Sequence, residues 1–158
     1  MKQITEQEAY TRLTALCAAA EHCTHEMTEK MHRWELPEEA QARIMQRLVE
    51  GRYIDDERFA RAFANDKLLY NKWGRRKIEQ AMWLKRIDRS IQQRVLDDIA
   101  DTDYLNILRP MLESKRKSIK AGSDYELNMK LIRFAMGRGF TIDLIRQCLD
   151  GADDIDED

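Results

Sequence analysis

Long apolar runs are missing from this 158-residue chain, and so are most of the residues that build stapled or cradled sites: it has three cysteines, two prolines and six glycines. No stretch approaches the roughly 20 apolar residues of a membrane-spanning helix, so no membrane partner is expected. Three cysteines, an odd number with no signal-peptide pattern ahead of them, fit reduced thiols in a cytoplasmic protein. The few glycines form no phosphate-cradling loop, and neither a nucleophile in a recognisable setting nor a marked carboxylate pair accompanies them. A non-catalytic protein without a cofactor is expected. Cys17, His22, Cys23, His25 and His32 lack the paired spacing of a zinc site, and His25 and His32 stand about 10.5 Å apart along a helix, so no metal is expected. Cys17 and Cys148 fall on apolar stripes and are read as core.

What is present is helix, repeated. Met27, Met31, Leu36, Ala40 and Ile44 recur after 51 residues as Ile78, Met82, Ile87, Ile91 and Val95, and after a further 53 as Leu131, Ala135, Phe140, Leu144 and Cys148. Each unit reads as three helices, and no segment alternates as a strand would. The fold class is therefore all-α: three tandem three-helix repeats at 1–51, 52–100 and 101–150, in an elongated array whose curvature is left open, followed by an acidic tail at 151–158. A unit of about fifty residues buries too little surface to stand comfortably alone, so neighbours must support one another.

Helix starts carry recognisable chemistry. Thr5 with Glu8 and Ser123 with Glu126 are capping-box patterns, Thr24 opens the second helix, Pro37 suits the first turn of the third, and Thr141 caps the last. In the middle unit Asp55 is the expected N-cap, with Ile54 and Phe59 at the staple positions and Asp56 and Glu57 facing the positive helix end. Phe59, Phe63 and Tyr70 form one stripe, Gly74 interrupts it, and Pro110 is expected to kink the long seventh helix, which runs on to Ile119.

The net charge of −2 hides an asymmetry: −3 over residues 1–51, +4 over 52–100, +3 over 101–149 and −6 over 150–158. Two basic clusters are candidate contacts to a nucleic-acid backbone: Lys72, Arg75, Arg76 and Lys77 around Trp73, and Lys115, Arg116, Lys117 and Lys120. Arg58 and Arg61, off the apolar stripe, are further candidates. Against these stands the plainer reading that cations at a helix C-terminus complement its dipole. The tail GADDIDED is too charged to fold; it serves solubility, or it mimics phosphate and shields the basic surface.

Tyr53, Asp55, Asp56, Arg58, Phe59 and Ala60, with the later turn Arg138, Gly139 and Phe140, resemble the signature segments of the RecX family over about residues 5–149. The chain departs from the family pattern at Leu84 to Ile87, where Arg86 occupies the position often held by glycine, and at Trp34, Glu35 and Leu36. A substitute for glycine's left-handed turn is expected there. The resemblance implies tandem three-helix units and a monomeric regulator that binds the RecA filament on single-stranded DNA and inhibits ATP hydrolysis and strand exchange, in recombination and the SOS response. The alternative is a stand-alone helix-turn-helix-like DNA-binding protein, with Arg89, Gln92, Gln93 and Arg94 on the helix that would read bases.

Overall fold

The computed structural model describes residues 3–149; the tail, 151–158, and residue 150 lie outside the described residues. Among those described there are nine helices and no strand: α1 Glu6–Ala19, α2 Thr24–Arg33, α3 Glu38–Glu50, α4 Asp56–Leu69, α5 Arg75–Leu84, α6 Arg89–Asp97, α7 Asp101–Arg116, α8 Asp124–Gly137 and α9 Ile142–Cys148. None is long and apolar enough to cross a membrane. Contacts divide the described residues into two compact units, one running to Phe63 and including Met82–Gln93, the other taking Ala64–Ala81 and 94–149.

Cap chemistry places most helix starts where the sequence puts them. Thr5, Asp55 and Ser123 each accept the backbone N–H three residues on, at 3.0–3.1 Å. The second helix opens at Thr24, as expected, although its N-cap is Cys23. Thr24 instead gives its backbone N–H and its hydroxyl to Asp56, at 2.8 and 3.1 Å. Thr141 occupies the expected cap position, although its side chain makes no cap bond.

The repeat is legible in the backbone. Glu35, Arg86 and Gly139, spaced 51 and 53 residues apart, end α2, α5 and α8 with φ of 57°, 53° and 95°. The next residue's N–H reaches back five residues, to Met31, Met82 and Ala135, at 3.2 Å each time, while Glu35, Arg86 and Gly139 donate to His32, Trp83 and Met136. This Schellman arrangement brings in a buried apolar residue after each turn: Leu36, Ile87 and Phe140. The left-handed turn is thus kept where glycine is missing, contrary to the expected substitute. Holding a side chain there costs about 1–2 kcal/mol. At those two turns alone a buried glutamine, Gln41 or Gln92, donates to the Leu36 or Ile87 carbonyl at 2.8 Å. The corresponding residue in the third copy is Ile145, also buried. Arg86→Gly is accordingly expected to stabilise the protein by about 0.5–1 kcal/mol, read from urea unfolding; a loss of stability would mean that the Arg86 side chain holds something in place.

In the first unit Ala9, Leu13, Met27, Met31, Leu36, Ile44, Leu48 and Ile54 form one apolar cluster. Beside it Glu26 gathers three partners: the Cys23 N–H at 3.2 Å, Lys85 at 2.8 Å and His22 at 3.1 Å. In the second unit the buried faces of α7, α8 and α9 supply Leu105, Leu108, Leu112, Leu131, Ala135, Leu144 and Ile145, and the turn between α8 and α9 adds Phe140.

Of the fifteen repeat positions only Ile91 and Cys148 are half-buried; the rest are buried. The thiols sort differently from the expectation: Cys17 and Cys148 are half-buried, whereas Cys23 is fully enclosed, its burial pushing the thiol up to about 11. Tyr70 also leaves its predicted stripe. Helix α4 stops at Leu69, so Tyr70 turns outward and is 79% exposed. Likewise α7 stops at Arg116, leaving Ile119 beyond the helix, with Pro110 inside it.

Candidate partner-binding surface

The signature segment of the middle repeat is assembled by structural needs that explain each of its residues. Ile54 and Phe59 are buried, as staple residues should be. Asp55 caps α4, and Asp56 receives the start of α2. Tyr53 meets Tyr10 edge-on, with ring centroids 6.4 Å apart. Arg58 binds Glu21 through Nε at 2.6 Å and gives Nη2 to the carbonyls of Arg52 and Tyr53 at 3.0 and 3.2 Å. It therefore clamps the turn whose Arg52 has φ 62°. Arg61, exposed on α4, pairs with Glu57 one turn earlier at 3.0 Å.

The first basic cluster runs from the link after α4, which holds Lys72 and Trp73, into α5. Its placement settles a question of sign, because Arg75, Arg76 and Lys77 stand in the first turn of α5, which has no acidic residue there. Cations at that end oppose the helix dipole instead of complementing it. Part of the cost is met by the turn Arg138–Gly139: their carbonyls accept the N–H groups of Gly74 and Arg76 at 2.8 and 3.0 Å. The approach is close. A Cβ on Gly74 would come within 2.5 Å of Phe140 backbone atoms, and one on Gly139 within 2.5 Å of Lys77 Cβ.

Within this stretch each side chain has a distinct setting. Arg75 Nη2 bonds Asp97 at 2.6 Å. Arg76 is exposed, and Lys72 is exposed in a left-handed conformation with φ 59°. Trp73 is half-buried, its ring flanked by Lys67 Nζ at 5.2 Å and Lys77 Nζ at 4.9 Å from the centroid. The π surface of Trp73 thus already has two ammonium groups beside it.

The second cluster sits at the opposite kind of helix end. Lys115 and Arg116 close α7 and Lys117 is its C-cap, so their charges suit the negative helix end. Lys120 follows, and its carbonyl accepts from Lys130 at 3.0 Å. Lys115 leans over the Phe134 ring at 5.0 Å, and Arg138 over the same ring at 5.1 Å. Lys72 and Lys115, one from each cluster, line a common cleft with Arg138. Sequence reading overlooked Phe134 and the cationic side of Arg138, since only the folded α7 and α8 bring them to the basic residues.

Comparison with known proteins agrees with this architecture. Residues 55–96 match the profile described as RecX, second three-helix domain, and residues 101–149 that described as RecX, third three-helix domain. The chain is 28% identical to a regulatory protein RecX of Acinetobacter baylyi over 135 residues, 85% of this chain and 82% of that one. It is 26% identical to a regulatory protein RecX of Chlorobium phaeobacteroides over 152 residues, 95% and 97% of the two chains. The crystal structure of RecX from Lactobacillus salivarius superposes with a TM-score of 0.83 at 18% identity, covering 95% of this chain and 97% of the other, a likeness of fold.

Proposed function

The chain belongs to the RecX family, and from that membership we propose that it binds the RecA filament on DNA and inhibits its ATP hydrolysis and strand exchange, in recombination and the SOS response. It is a regulatory protein, not an enzyme. The repeats at 1–51, 52–100 and 101–150 act as successive docking units of a monomer, occupying a groove between filament subunits and so obstructing incoming duplex. The observation that carries this reading is the cationic first turn of α5, where Arg75, Arg76 and Lys77 crowd a helix end that disfavours them. An anionic partner relieves that conflict, and a filament on DNA presents phosphate and acidic surface.

The stand-alone DNA reader loses its central residue. Gln92 on α6 is fully buried and spends its amide on the Ile87 carbonyl, so it has no access to a base edge.

Titrating the protein into recombinase filaments on single-stranded DNA tests the proposal. A substoichiometric fall in ATP hydrolysis, beside weak binding to DNA alone, is the expected result; tight sequence-selective duplex binding with no effect on hydrolysis would overturn it. Changing Arg75, Arg76 and Lys77 together to alanine is expected to weaken filament binding about tenfold at low salt and to flatten the logarithmic salt slope by about 2, at unchanged helicity. Loss of the exposed Arg75–Asp97 pair costs at most about 1 kcal/mol of stability. Unchanged filament affinity would remove these three residues from the contact.

A further inference from the structure

We propose that the cleft shared by Lys72, Lys115 and Arg138 is a phosphate seat for single-stranded nucleic acid, holding one phosphodiester and the sugar attached to it. The inference rests on the reading that nucleic acid is among this protein's partners, and it assigns that contact to a specific place.

The cleft lies wholly within the second unit and has a volume of about 440 Å³. Among the described residues no carboxylate lines it. Three cations border it, and two of them, Lys115 and Arg138, each lie over the Phe134 ring, at 5.0 and 5.1 Å from its centroid. The Phe134 ring attracts both, which fixes two cationic side chains beside the cleft. The third cation is held there at a backbone cost. Lys72 has φ 59°, a conformation that glycine or asparagine would adopt with less strain. Asn71 is the neighbouring residue, yet the strained position carries the lysine that lines the cleft.

The remaining lining decides between phosphate and carboxylate partners. Pro110 and Met111 from α7 give the cleft an apolar wall beside its cations, and Ser114 adds a hydroxyl. An acidic side chain would use the cations and leave that wall uncovered. A nucleotide unit uses both, with phosphate oxygens on the three cations and the sugar against the wall. Duplex DNA, by contrast, presents its phosphates on a ridge too broad to seat its sugars in a cleft of this size.

The test uses the full chain without recombinase, so it is independent of the regulatory reading. Proton–nitrogen spectra are recorded while (dT)8, tripolyphosphate or hexaglutamate peptide is added at low salt. With (dT)8, shifts are expected to concentrate on the amides of Lys72, Lys115, Phe134 and Arg138. The variant K72N/K115Q/R138Q is expected to bind (dT)8 at least tenfold more weakly, with a salt slope shallower by about 2. K72N alone keeps a residue tolerant of the left-handed turn and is expected to lose a smaller, same-signed part, which keeps the test open should the triple variant fold poorly.

Shifts centred elsewhere, or an affinity for (dT)8 that the substitutions leave unchanged, would overturn the assignment. So would tripolyphosphate binding as tightly as (dT)8, which would make this a free-anion site, or hexaglutamate perturbing the same amides at equal or lower concentration, which would make it a seat for an acidic protein segment. Should the triple variant lose (dT)8 binding and still inhibit the filament, the cleft stands and its role in regulation falls.

Discussion

Replacing Gly139 by alanine is expected to destabilise the protein by about 3–5 kcal/mol, enough to lower its melting temperature by roughly 10 °C or more. Two separate causes add. Gly139 has φ +95°, where an L side chain is strained, at about 1–2 kcal/mol. Its new Cβ would also meet Lys77 Cβ at 2.5 Å and the Lys77 backbone nitrogen at 2.6 Å, and backbone cannot rotate away as a side-chain tip can. Gly74→Ala strikes the other side of the same junction, 2.5 Å from the Phe140 nitrogen and Cα, and is expected to cost about 3 kcal/mol. The double substitution should cost less than the sum, because either change alone already parts the two backbones. Gly137→Ala is the control: nothing lies within 4 Å of its Cβ position, and it is expected to be neutral or slightly stabilising. Thermal unfolding followed at 222 nm measures all four. A Gly139→Ala protein that melts with the parent would show that the junction yields easily and that this close packing does not position the basic turn.

That junction marks where the sequence stops being informative. Residues 74 and 139 are 65 positions apart, and neither composition nor periodicity says that two glycines will bring two backbones together. Cap residues are legible because a cap bonds its own helix: Asp55 and the N–H of Arg58 are three residues apart. The left-handed turns were legible as places and illegible as conformations. Arg86 in a glycine position suggested a different geometry, yet the left-handed turn is kept, and Gln92, six residues on, holds the Ile87 carbonyl that follows it. The same Gln92 looked like a base reader only because a polar residue on a predicted helix is taken to face outward.

Charge was legible and its arrangement was not. The two basic clusters look equivalent on paper, but helix boundaries put one at the positive end of α5 and the other at the negative end of α7. Arg58 illustrates the same limit from the other side, since its partner Glu21 lies 37 residues earlier. The grouping of Lys72, Lys115 and Arg138 needs α7, α8 and the turn before α5 all in place, and no linear spacing encodes it.

Glu26→Ala is expected to cost about 2–3 kcal/mol and to remove much of the first unit's sensitivity to acid. Burial pushes the Glu26 carboxyl up, but hydrogen bonds from Lys85, the Cys23 N–H and His22 outweigh it and hold the group below its ordinary 4.5. The same contact holds Lys85 above its ordinary 10.5. A carboxyl depressed by folding contributes stability that is present above the unfolded value, near 4.5, and is lost as pH falls through the folded value. A raised lysine contributes fully below 10.5 and loses its share as pH climbs through its folded value. The pair therefore stabilises across the neutral range and fails at both ends. Alanine takes away the salt bridge, the bond that closes the start of α2 and the partner of a half-buried ammonium, each a charge-assisted contact. Glu26→Gln keeps a capping acceptor and is expected to cost about 1–2 kcal/mol. Urea unfolding at pH 7 and pH 4 separates these effects: the parent should lose more stability between the two than either variant does. In a Lys85→Met background the cost of Glu26→Gln should shrink, because no ammonium is left to strand. Equal losses in both backgrounds would mean that Glu26 acts through the Cys23 cap alone, and that α2 is anchored by its own first turn and not by the segment after α5.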